Sequence, residues 1–96
     1  MDEMEKINQQ LTALDDAEAA LSSQDPLTPF AHDQIERLIS NLQLLLLAAS
    51  TSVVITPLSP SEATGLQAAL TSLDTAVRQS AGAVQILQAA TTLASA

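Results

Sequence analysis

His32 is the only histidine of this chain, and Asp33 stands beside it, the two residue types from which a general base and its orienting carboxylate are built. Adjacent positions of a helix point in different directions, so the pair is poorly placed to act together. No Ser, Cys or Lys elsewhere is marked as a nucleophile for such a base, and His32 reads as a solvated residue in the first turn of a helix. Asp15, Asp16 and Glu18, with Asp25 nearby, offer carboxylate oxygens of the kind that hold calcium or magnesium, but without the glycine-turned loop spacing those ions use. With no cysteine and one histidine, a zinc site is short of ligands. Gly65 and Gly82 are isolated and belong to no phosphate-binding loop. The residue types therefore predict no enzyme and no catalytic, cofactor or metal site.

Composition sets what can position these residues. Ninety-six residues make at most one domain, here taken as 1–96. Apolar residues are 47% of the chain but aromatics only 1%, so the core must be built of Leu, Ile, Val and Ala, which suits helices packed on helices. Three basic residues stand against eleven acidic ones, and a formal charge of -8 repels a phosphate backbone, so nucleic acid is not an expected partner. An acidic inhibitor or mimic is a lesser alternative, because the acids clustered in residues 2–25 read first as a solvated helix face. The start, Met1-Asp2-Glu3-Met4-Glu5-Lys6, is acidic and helix-like, unlike a basic-then-apolar signal peptide. It predicts a cytoplasmic protein or, failing that, export without a cleavable signal.

Met4, Ile7, Leu11, Leu14 and Leu21 recur at spacings of three and four, with Glu18 in the one vacant position, and predict a first helix over about 3–22 capped by Asp2. Thr28-Pro29 reads as an N-cap followed by proline at the first helical position, which opens a second helix over about 29–56. Its inner stripe is Ile35, Leu38, Leu42, Leu45 and Ala49. The β-branched run from Thr51 to Thr56 leaves an extended connector from about Ser50 as the alternative ending. Ser59-Pro60-Ser61-Glu62 is a capping box, and Leu66, Leu70, Leu73, Val77, Ser80, Val84, Leu87, Thr91 and Ala94 continue one heptad seam over about 60–94. The predicted fold is all-α, a three-helix up-down-up antiparallel bundle with coiled-coil-like packing. Its third helix is long and either bent or broken at Gly82, or projects past its partners toward another molecule.

No charged residue occurs from Leu38 to Ser61, a length that would cross a bilayer as a helix. Ser40, Asn41, Gln43, Ser50, Thr51 and Ser52 interrupt it, and no Trp or Tyr marks an interface, so insertion through residues 38–58 is only an alternative. The polar face of the second helix disappears beyond Gln43, where Leu44 and Leu47 stand in its place, and such a helix needs cover on more than one side. The sequence thus predicts a helical interaction or oligomerisation module, an adaptor, small chaperone or assembly subunit. Its protein partner is a second copy in a dimer or another helix. Leu44, Leu47 and Val54, with Ile86 and Leu93 on the third helix, are the residues without evident intramolecular use.

Overall fold

Asp2 caps the first helix, its Oδ1 accepting the Glu5 amide at 2.9 Å, while Glu3 and Glu5 meet the positive end of the helix dipole. In the computed structural model, which describes residues 2–51 and 57–96, this helix is α1, Glu3–Ala19. It is followed by α2, Thr28–Ser50, α3, Pro60–Arg78, and α4, Ala83–Ala94, with no strand among the described residues.

Among the described residues four helices stand where three were expected, because the long third helix is broken. Ser80 takes the left-handed conformation, φ 53°, the Ser80 amide donates to the Val77 carbonyl at 3.2 Å and the Ala81 amide to the Ala76 carbonyl at 3.0 Å. These two bonds form a Schellman ending, with serine in the position glycine usually fills. Gly82, the expected breaker, is instead the N-cap of α4, with an ordinary φ of -63°. The turn also resets the helix phase. The seam expected at Val84, Leu87, Thr91 and Ala94 moves back one residue, and Ala83, Ile86, Ala90 and Leu93 are buried while Val84 and Thr91 are exposed.

The second helix corrects two further expectations. Thr28 is not its side-chain cap: Leu27 holds the cap position, and the Thr28 hydroxyl turns back to donate to the Ser22 carbonyl. At the other end the helix stops at Ser50, with the Ser50 and Thr51 hydroxyls donating to the Leu47 and Ala48 carbonyls at 2.8 and 2.9 Å. Such side-chain bonds compete with helix continuation just where the β-branched run begins. The remainder of the predicted helix to Thr56, including Val54, lies outside the described residues. The capping box behaves as predicted, Ser59 Oγ accepting the Glu62 amide at 3.2 Å and donating to Glu62 Oε1 at 3.1 Å.

An isolated bridge between Asp2 and Pro57 places the start of α1 near the start of α3. The start of α3 lies beside the end of α4, Gly65 and Ala68 sharing a shallow groove with Ser95 and Ala96. The helices therefore run up, down, up and down. Both α1 and α4 touch all three other helices, whereas α2 and α3 do not meet among the described residues. The core between them is aliphatic: Ile7, Leu14, Ile35, Leu66, Leu73, Ile86 and Leu93 are fully buried. In place of the expected three-helix bundle, α2 packs against α1 and α4. α4 has folded back to take the third helix's place against α2, which a continuous rod of that length could not do.

Candidate functional site

The expected interaction residues divide. Ile86 and Leu93 are buried in the core, so they form no second contact surface; the reset phase at Ser80 turns them inward. Their apparent surplus, and that of the long third helix, came from counting one helix where there are two. Leu44 and Leu47 are exposed, at 67% and 63%, and Leu45, expected on the inner stripe, joins them at 56%. Lengths account for this. At 1.5 Å per residue α2, with 23 residues, is roughly 35 Å long, and α4, with 12, roughly 18 Å. The buried residues of α2 are Ala31, Ile35, Ile39 and Leu42, all in its first 15 residues, and both α1 and α4 pack on this helix. Beyond Gln43 the helix outruns α4, and only Leu46 and Ala49 are partly covered.

The chemistry-bearing residues are rearranged as well. Asp33 does not orient His32; its carboxylate faces Arg37 Nε at 3.4 Å, one turn along α2. His32 instead turns toward α1, with Nε2 at 3.5 Å from Glu18 Oε1 and 4.0 Å from Glu36 Oε1. Glu36 shares the face of His32 because the two are four residues apart on a helix. Glu18 reaches the same place from the seam of α1; the sequence grouped it with Asp15 and Asp16 and not with His32. Its side chain is 21% exposed against 53% for His32, and its Oε2 is buried without a hydrogen-bond partner. Burial raises the Glu18 carboxyl above its usual pKa, and the neighbouring Glu36 and Asp15 add to the rise, while His32 opposes it. Asp15 and Asp16, the other acids considered as ligands, are exposed and stand outside this group.

Asp25, the remaining carboxylate of that set, has a structural task. Its Oδ1 accepts the Leu27 amide at 2.9 Å and its Oδ2 the Ala83 amide at 2.8 Å, and these two bonds hold its pKa below the usual value. An open cleft of about 450 Å³ lies between α1 and α3 over Ala13, Leu70 and Val77. Asp74 on its rim is paired with Arg78 at 2.9 Å.

No protein-family model, curated protein or solved structure matches the chain. Among the described residues the fold defines a small all-α protein of four helices, none of them long and apolar enough to cross a membrane.

Proposed function

We propose that this chain is a non-enzymatic helical interaction module that pairs with a second copy of itself through Leu44, Leu45 and Leu47. The observation that carries this reading is the exposure of Leu44, Leu45 and Leu47 within one turn of the C-terminal half of α2. Charge favours a second copy as the occupant. The molecule carries -8, but the stretch from Leu38 to Ser61 that holds these leucines contains no charged residue, so two copies meet there without bringing like charges together.

Magnitudes set the strength. A leucine fully removed from water contributes about 2 kcal/mol, so three leucines exposed by 56–67% contribute on the order of 4 kcal/mol per chain and about 8 for a symmetric pair. Association costs about 4–15 kcal/mol in lost freedom, which makes this a weak, concentration-dependent dimer.

Sedimentation equilibrium across a concentration series tests it. The wild type is expected to show a rising mean mass, and Leu44→Glu with Leu47→Glu to stay monomeric with its helical spectrum intact. A wild type that remains monomeric at the highest attainable concentration, or a double variant of unchanged mass, overturns the proposal.

A further inference from the structure

We propose that Glu18, His32 and Glu36 bind a divalent transition-metal ion of the zinc class, one carboxylate coming from α1 and an imidazole and a carboxylate from α2. A donor atom from each of the three residues lies within 4.8 Å of the others. In a tetrahedral zinc site, with bonds of about 2.0–2.2 Å, neighbouring donors stand about 3.4 Å apart. His32 Nε2 lies 3.5 Å from Glu18 Oε1 and 4.0 Å from Glu36 Oε1, so small rotations of the exposed His32 and Glu36 side chains bring the set to that spacing.

The buried Oε2 of Glu18 supplies an independent reason. A carboxylate oxygen without a donor is costly inside a protein, and a cation at this carboxylate compensates it. The same ion neutralises two carboxylates, those of Glu18 and Glu36, that face one imidazole and otherwise repel each other. The imidazole selects the class of metal: calcium and magnesium take oxygen ligands in larger number, whereas nitrogen with carboxylate suits zinc and its neighbours. Three protein ligands leave a fourth position for water.

Calorimetric titration of zinc chloride into the folded chain tests the site. The expected result is a stoichiometry of one ion per chain and a higher melting temperature with zinc. His32→Ala and Glu36→Gln are each expected to weaken binding about tenfold or more, with helicity unchanged by circular dichroism, and Asp33→Asn to bind like the wild type. The proposal is overturned if the wild type gives no zinc heat, the result expected of an imidazole that merely lies between two carboxylates. Zinc binding that survives His32→Ala, or calcium and magnesium binding as tightly as zinc, overturns it as well.

Discussion

The Asp25 carboxylate, in the loop between α1 and α2, accepts the amide of Ala83 at the start of α4, 58 positions further along the chain. Gly82, the N-cap of α4, has no side chain with which to do this, and Asp25 supplies the cap from elsewhere. The opposite end is held in the same way, since Gln10 Nε2, buried in α1, donates to the Leu93 carbonyl at 2.8 Å. A helix of 12 residues is marginal by itself in water. α4 is therefore an element that the first quarter of the chain holds at both ends.

Asp25→Ala is expected to lower the melting temperature at neutral pH, because the Ala83 and Leu27 amides both lose their acceptor. The pH dependence has a fixed sign. Asp25 has a folded pKa below its usual value of 3.8, so its contribution is full above that value and is lost as pH falls through the lowered one. Melting curves of wild type and variant should differ most from pH 5 upward and converge in stronger acid. A difference that stays constant into strong acid would count against this linkage.

Ser80→Gly is expected to stabilise the fold by up to about 1 kcal/mol, since glycine adopts the left-handed conformation without the cost an L side chain bears. Gly82→Ala should be tolerated: φ there is -63°, and an added Cβ meets Asp25 Oδ2 at 3.6 Å, an ordinary contact. Urea unfolding of both variants measures this. If Gly82→Ala proves the costly change and Ser80→Gly a neutral one, the turn has been assigned to the wrong residue.

Leu93→Ala is expected to cost about 2–5 kcal/mol, because the residue is buried where α4 closes on α1. Leu44→Ala, on the exposed face, should change the stability of the monomer by no more than about 0.5 kcal/mol. Chemical denaturation at low protein concentration separates the two. Equal costs would mean that Leu44 is covered within the chain.

Much of the helix punctuation was legible in the sequence because it rests on contacts a few residues apart. Asp2 reaches Glu5 and Ser59 reaches Glu62, both within one turn. The division of α2 at Gln43 was legible too, as the point where polar residues leave its outer face. The break in the third helix was narrowed only to the neighbourhood of Gly82, because glycine is the expected residue for a left-handed turn and serine took that place. One residue of phase followed from that difference, about 100° of rotation, enough to expose Val84 and Thr91 and to send Ile86 and Leu93 into the core.

The cluster of Glu18, His32 and Glu36 was less legible. Sequence spacing relates His32 to Glu36, but nothing local brings Glu18 to them from another helix. The same holds for the buried Gln10, an amide in an otherwise aliphatic core whose partner is a backbone carbonyl 83 positions away.

By itself the sequence determined an all-α chain, the capped starts of α1 and α3 and the uncharged stretch from Leu38 to Ser61, because helix periodicity and capping are properties of neighbouring residues. Tertiary structure decided that there are four helices among the described residues, that α4 rather than α3 packs on α2, and that Leu44, Leu45 and Leu47 are left exposed. It also decided that one carboxylate caps a distant helix while another meets an imidazole. These outcomes depend on where the chain folds back, and the lengths of two packed helices are compared only once they lie side by side.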